Sequence, residues 1–189
     1  DIISAETELA TAPADTDEFL ISDAGTLKRI DASLVGGGGK VLQVLSTTKS
    51  DTFSTSSTSF TDITGLSVSI TPSSTSNKIL IIYTVSGGHN AHTFTRLMRD
   101  STAISVGDTA GSRTSATTGN FYENSSGTMS YTYSVSFLDS PSTTSATTYK
   151  GQQMTNSGTT YINRSRSDTD ANYAARTVST ITVMEIDGT

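Results

Sequence analysis

The clearest hydrophobic pattern in the chain lies in the stretch Ser130 to Pro141, where apolar and hydroxyl side chains alternate strictly up to Phe137. Its apolar members are Tyr131, Tyr133, Val135 and Phe137, and its hydroxyl members are Thr132, Ser134 and Ser136. Because successive side chains of a strand point to opposite faces, this pattern predicts a strand with one buried and one solvated face. Its length and pattern are those of a central strand. The sheet is expected to be antiparallel, since parallel strands have continuous apolar runs.

Similar short segments recur from Lys40 to the C-terminal region. The runs Val41 to Leu45 and Lys78 to Val85 are largely apolar, and both are expected to be buried strands. Other predicted strands span 66–70, 93–98, 103–106, 147–154, 159–163 and 178–186. About ten strands with turns every eight to twelve residues indicate an all-β fold, an antiparallel β-sandwich of jelly-roll type.

The composition points to a small interior. Hydrophobic residues make up 33% of the 189 residues, while Ser and Thr occupy 66 positions. A chain with so few apolar side chains either has a thin core or shares its core with copies of itself. The chain has no cysteine, which excludes disulfides, thiolate nucleophiles and cysteine metal sites.

Charge separates a short N-terminal module from the rest. Residues 1–39 carry eight acids and two bases, whereas residues 40–189 carry ten of each. Within the module, 17–31 has the pattern of a β-hairpin with a turn at Ser22 to Gly25. The run Gly36 to Gly39 then predicts a linker. We therefore expect two parts, an attachment module with its linker at 1–39 and a β-sandwich domain at 40–189.

Two classes of partner are disfavoured by the same features. The chain has no basic patch, so binding to nucleic acid is not expected. It also has no apolar run of the roughly 18 residues that a membrane helix needs, so membrane insertion is not expected. The first residue is not Met, which suggests a fragment or a processed chain.

Four spaced blocks carry a family resemblance across residues 40–187. They are KVLQVLSTTKSDTFSTSSTSFTDITGLSVSITPSSTSNKIL, RLMRDSTAISVGD, SVSFLDSPSTTSATTYK and YINRSRSDTDANYAARTVSTITVMEI. In this order they resemble the C-terminal domain of tail-fibre proteins from marine bacteriophages, notably cyanophages and related podoviruses. The segment FLISDAGTLKRIDASLV resembles the short module that precedes such tips.

The resemblance implies a homotrimeric appendage of an extracellular virion, joined through residues 1–39 to an upstream fibre shaft. The distal domain would contact a host-surface polysaccharide or protein. A trimer would also supply the interior that the composition lacks and close exposed sheet edges. The expected function is therefore non-catalytic receptor binding and host attachment.

Specificity is expected in loops, because loops vary freely on a rigid sandwich. The predicted contact segments are 87–94 and 107–122. The candidate receptor-binding residues in them are His89, Asn90, His92, Arg113 and Tyr122.

No cofactor or metal is predicted. His89 and His92 could ligate a transition metal if three copies met on an axis, but a solvated loop is the preferred interpretation. Asp168, Asp170 and Asn172 have the spacing that opens a calcium loop, yet its glycine and distal glutamate are missing. An acidic turn explains these residues without an ion.

Two alternative functions stay open. One is a carbohydrate-binding module of a larger protein, although such modules often use Trp platforms and this chain has no Trp. The other is a glycan depolymerase that uses paired carboxylates. The chain lacks the GxSxG motif of serine hydrolases, and most acidic residues near loops have neighbours that favour turns.

Overall fold

The structure, a computed structural model, describes residues 18–31, 40–89, 91–119 and 127–188. Every regular element in these ranges is a β-strand, which confirms the predicted all-β class. Within the same ranges, no helix has the length and apolar character needed to cross a bilayer. The chain divides into two compact units, the first ending at Lys40 and the second starting at Val41.

The first unit contains the predicted hairpin. Strand β1 (Glu18–Asp23) pairs antiparallel with β2 (Thr26–Asp31), and Phe19 lies opposite Ile30. Only Ala24 and Gly25 form the loop, with φ values of 52° and 82°. Two consecutive positive φ angles are typical of a two-residue hairpin turn, so the turn is tighter than the predicted four-residue segment.

The second unit is a two-sheet arrangement in which every strand pairing is antiparallel. The first sheet comprises β3 (Val41–Lys49), β4 (Phe53–Thr55), β6 (Lys78–Gly88), β10 (Tyr131–Asp139), β12 (Thr160–Ile162) and β13 (Ser179–Ile186). The second sheet comprises β5 (Thr61–Ile70), β7 (Thr93–Arg99), β8 (Thr102–Ile104), β9 (Thr118–Gly119) and β11 (Thr147–Thr155). The predicted antiparallel β-sandwich is therefore confirmed.

The core lies between the sheets and draws one face from each. In the first sheet, the odd-numbered residues of β6 and β13 point inward and are buried. In the second sheet, Leu66, Leu97 and Tyr149 are fully buried. The apolar residues among them belong to one hydrophobic cluster, which is what two packed sheets with period-two patterning produce.

Strand order within the first sheet corrects two expectations. The alternating strand β10 was expected to be central, but among the described strands it pairs with β6 alone and lies at an edge, while β6 is the central strand. The apolar residues of its alternating segment, Tyr131 to Phe137, are consequently half-buried. The run Val41 to Leu45 was expected to be buried, but within the part of the chain that the structure describes β3 pairs with β13 alone, and Val41 and Leu45 are 47% and 39% exposed.

Candidate functional site

A polar groove crosses the outward face of the second sheet. It is formed where β5, β11 and β7 lie side by side, and its volume is about 680 Å³. Its lining residues are Phe60, Asp62, Arg96, Met98, Asp100, Ser101, Thr148, Lys150 and Gln152. Tyr149 and Gln153, which alternate with the groove residues along β11, are fully buried. Lys150 and Gln152 therefore point to the open face of the sheet.

Asp62 is the anionic centre of the groove. Its Oδ2 atom accepts a hydrogen bond of 2.7 Å from Lys150 Nζ, and its Oδ1 atom accepts one of 2.7 Å from Gln152 Nε2. The hydrogen bond from Lys150 lowers the pKa of Asp62 below its usual value of 3.8. The carboxylate is therefore ionised at neutral pH, and both of its oxygens have fixed partners.

Arg96 forms the cationic wall. Its Nη2 atom donates a hydrogen bond of 3.0 Å to Gln152 Oε1, and its Cζ atom lies 4.0 Å from the centre of the Phe60 ring. A guanidinium over an aromatic face is held by the electrostatic attraction of the ring. Among the residues that the structure describes, the buried Nε atom of Arg96 has no hydrogen-bond partner. The side chain is thus positioned by two neighbours and keeps an unmet donor.

This arrangement can bind a polar ligand through donors and acceptors that are already in place. Gln152 is oriented by contacts at both ends of its amide, since Nε2 contacts Asp62 and Oε1 contacts Arg96. Groups carried on strands are positioned more accurately than groups on loops. The lowered pKa of Asp62 suits a binding carboxylate, whereas cleavage of a glycosidic bond requires an acid whose pKa is raised.

The structure corrects one predicted contact residue. His89 is fully buried, and its Nε2 atom lies 3.0 Å from Thr155 Oγ1. Its Nδ1 atom accepts a hydrogen bond from the backbone N–H of Ala91. Burial lowers the pKa of His89 and favours the neutral ring. The side chain fastens the end of β6 to β11, so it is no candidate for direct contact with a receptor.

The other predicted contacts lie apart from the groove or outside the described residues. His92 and Arg113 are exposed, and neither lines the groove. The His92 N–H donates to Asn156 Oδ1 at 3.0 Å, and Arg113 Nη1 donates to the Ala110 carbonyl at 3.2 Å. Asn90 and Tyr122 lie outside the described residues.

The acidic turn near the C-terminal strand is held by arginines. Asp168 Oδ2 lies 2.8 Å from Arg176 Nη2 and 3.5 Å from Arg164 Nη1. In the described part of the chain, no cluster of three or more His, Cys, Asp or Glu side chains could hold a metal ion. The partners of Asp168 are therefore cationic side chains.

The groove residues were missed at the level of sequence, although a signal is present. Many outward positions in these sheets are Ser or Thr, but the outward phase of β7 and β11 carries Arg96, Lys150 and Gln152. These long polar side chains in the solvated phase of neighbouring strands are the sequence signal of the groove. Recognising it requires the strand order β5-β11-β7, which brings Asp62 beside residues almost ninety positions away.

Comparisons with known proteins add a distant structural likeness. No protein family matches the chain, and no curated protein matches it. One similar chain belongs to a solved structure described as "Structure of infectious bursal disease virus Gt strain", with 11% identity and a TM-score of 0.40. The match covers 87% of this chain and 41% of that one, so this chain spans less than half of its length. At that score the likeness carries no argument about function.

Proposed function

We propose that this chain is the distal domain of a bacteriophage tail fibre, and that it binds a glycan on the host surface without cleaving it. In this proposal the sandwich has jelly-roll connectivity, the fibre is a homotrimer on the virion, and the hairpin unit joins an upstream shaft. The linear order of the four sequence blocks in residues 40–187 supports the family. The groove on the second sheet supports the ligand class.

The observation that carries the proposal is the interlocked set Asp62, Gln152 and Arg96, with Arg96 over Phe60. A neutral sugar offers hydroxyl groups that both donate and accept hydrogen bonds. The groove presents the complementary groups, namely carboxylate oxygens, an amide, a guanidinium and the ammonium of Lys150. A pocket with a few converging polar groups is the usual form of a small-ligand site.

Assembly makes a weak groove useful. A shallow site on an open sheet face is expected to bind one glycan chain weakly, because few of its groups surround the ligand. Three copies on one fibre would bind a polysaccharide surface together, which raises the overall avidity by a factor of roughly 10² to 10⁴.

The test measures binding of the complete chain to an array of bacterial surface polysaccharides and adhesion to bacteria that carry them. R96A and D62A each remove a group from the groove, and H92A/R113A removes the exposed loop residues predicted from sequence. We expect at least a tenfold loss for each groove variant and unchanged binding for the loop variant. Binding that persists in R96A and D62A would overturn the assignment of the groove.

The same samples distinguish the alternatives. New reducing ends after incubation with a bound polysaccharide would identify a depolymerase. A chain that stays monomeric yet binds glycan through the groove would indicate a carbohydrate-binding module, because the groove is complete within a single chain.

A further inference from the structure

The outward face of the first sheet carries a row of apolar side chains in register across four strands. Leu138 of β10 lies opposite Leu80 of β6, Leu80 opposite Met184 of β13, and Met184 opposite Val44 of β3. Leu138 and Val44 are 54% and 53% exposed, and Leu80 and Met184 are half-buried. Ile82, two residues along β6, extends the row and is 37% exposed. A contiguous exposed apolar patch of this kind is typical of an interaction surface.

The rest of this face can be covered at little cost. Its hydroxyl groups bond to one another across neighbouring strands: Ser46 to Thr182 at 2.8 Å, Thr84 to Ser134 at 3.0 Å, and Ser86 to Thr132 at 2.6 Å. Burying a polar group is unfavourable chiefly when it loses its hydrogen bond, and these groups keep theirs inside the sheet. These hydroxyl groups therefore do not need water as a hydrogen-bond partner, although they make the face partly polar.

Charge favours an identical partner over a charged one. Among the outward positions of these four strands, Lys78 carries the charge, and its Nζ atom donates to Ser140 Oγ at 3.0 Å near the rim. In a three-fold assembly the residues near the axis approach their own copies, so like charges there would repel. A nearly neutral face avoids that repulsion. The face of the second sheet differs, since it carries Asp62, Arg96 and Lys150.

The dimensions are adequate for association. Four strands about 4.8 Å apart and roughly 30 Å long present on the order of 600 Å² in projection, before side-chain relief is added. A stable interface buries about 800 Å² on each partner. The edge strand β3 adjoins the patch, and its apolar residues Val41 and Leu45 add exposed area. The face and this edge together reach the required size.

We propose that the outward face of the first sheet, centred on Leu138, Leu80, Met184 and Val44, is the surface through which copies of this chain associate. The proposal rests on the assembly part of the proposed function and assigns it a location. Covering the patch supplies apolar burial that the lean core of a single chain lacks. It leaves the polar groove of the second sheet open for ligand.

Single-cysteine labelling tests the surface directly, because the natural chain has no cysteine. V44C and L138C place a thiol in the patch, and Y173C places one at a residue that is 67% exposed outside it. We expect maleimide to label the two patch thiols at least tenfold more slowly than Y173C at micromolar concentration, with the difference lost on dilution. Equal labelling rates at all concentrations would overturn the proposal.

Sedimentation velocity of the complete chain gives a second measurement. V44K/L138K should weaken association at least tenfold while its circular dichroism spectrum and glycan binding per site stay unchanged, and Y173K should behave as the wild type. If V44K/L138K assembles as strongly as the wild type, the interface lies elsewhere and this inference is overturned. The glycan proposal is unaffected by that result. A monomeric wild type would overturn this inference and the trimer, whereas failure of the glycan proposal would appear only in the R96A and D62A binding data.

Discussion

Tyr149 donates its hydroxyl proton to Asp139 Oδ2 over 2.7 Å and so joins the second sheet to the first. The aspartate is 5% exposed, and both of its oxygens also accept hydrogen bonds of 2.9 Å from Arg99 Nη1. Burial, followed by the bond to Asp139, raises the pKa of Tyr149 and keeps the phenol protonated. The two sheets are thus linked by a polar contact as well as by the apolar core.

Replacing Tyr149 with Phe should lower the free energy of unfolding by roughly 1.5 to 3 kcal/mol, because the change removes a buried hydrogen bond to a charged group. Urea denaturation at neutral pH measures this difference. Y173F is the matched control, since Tyr173 is largely exposed, and it should lie within about 0.5 kcal/mol of the wild type. Equal effects of the two changes would contradict a structural role for the Tyr149 hydroxyl.

Glu185 predicts a loss of stability in acid. It is fully buried in β13 and accepts hydrogen bonds from Asn77 Nδ2 at 2.6 Å, Gln43 Nε2 at 2.5 Å and the Ser73 N–H at 2.6 Å. Burial alone would raise its pKa, but the hydrogen bonds outweigh burial and lower the pKa from 4.5 to about 2. A carboxylate whose pKa is lower in the folded than in the unfolded protein stabilises the fold at pH values above the unfolded pKa. This stabilisation is lost as the pH falls from the unfolded pKa to the folded pKa.

The variant E185Q should therefore be less stable than the wild type at neutral pH by at least about 1.5 kcal/mol. The difference should shrink as the pH falls from 4.5 towards 2, because in this range the carboxylate of the unfolded wild type takes up a proton while that of the folded protein stays ionised. Thermal unfolding across this range gives the measurement. A constant difference at every pH would show that the charge of Glu185 does not stabilise the loop at Ser73 to Asn77.

Gly87 should resist replacement because β12 approaches it closely. A Cβ atom added at Gly87 would lie 2.1 Å from the carbonyl oxygen of Tyr161, which belongs to the backbone and cannot move aside cheaply. We expect G87A to cost at least about 2 kcal/mol in denaturant unfolding. G107A is the control, since a Cβ there meets its nearest neighbour at 4.0 Å. Similar stabilities of the two variants would refute the close approach.

His89 and His92 should behave differently although three positions separate them. H89A should lower the free energy of unfolding by roughly 1 to 3 kcal/mol, because it removes a buried ring and leaves Thr155 Oγ1 without that partner. H92A should stay within about 0.5 kcal/mol, since its side chain is exposed. Thermal melts of both variants measure the contrast. Equal melting temperatures of H89A and H92A would contradict the burial of the His89 side chain.

The inward or outward direction of most side chains in the sandwich can be predicted from local sequence, because successive side chains of a strand point to opposite faces. The inward phase of β10 and β6 is visible in the sequence for that reason. Strand order is a different property, since it depends on which strands pair across long separations. The alternation of β10 predicts a central strand. In the structure β10 lies beside β6 at the edge of the described sheet, and Tyr133 is therefore half-buried.

The candidate site was harder to predict for the same reason. Asp62, Arg96 and Gln152 lie on three strands, and only their pairing brings them into contact. His89 looked like a surface residue because it follows two glycines, but its burial depends on Thr155, which is 66 positions away. Local composition could not reveal either relationship.

Val41 lies directly opposite Ile186 in the pairing of β3 with β13. The polypeptide therefore enters and leaves the sandwich at neighbouring points on one rim of the first sheet. A domain attached in this way can be exchanged as a cassette, because an incoming replacement needs to match its carrier at a single location. Under the proposed function, recombination between genes or a deliberate graft would alter ligand preference without redesign of the protein that carries the domain.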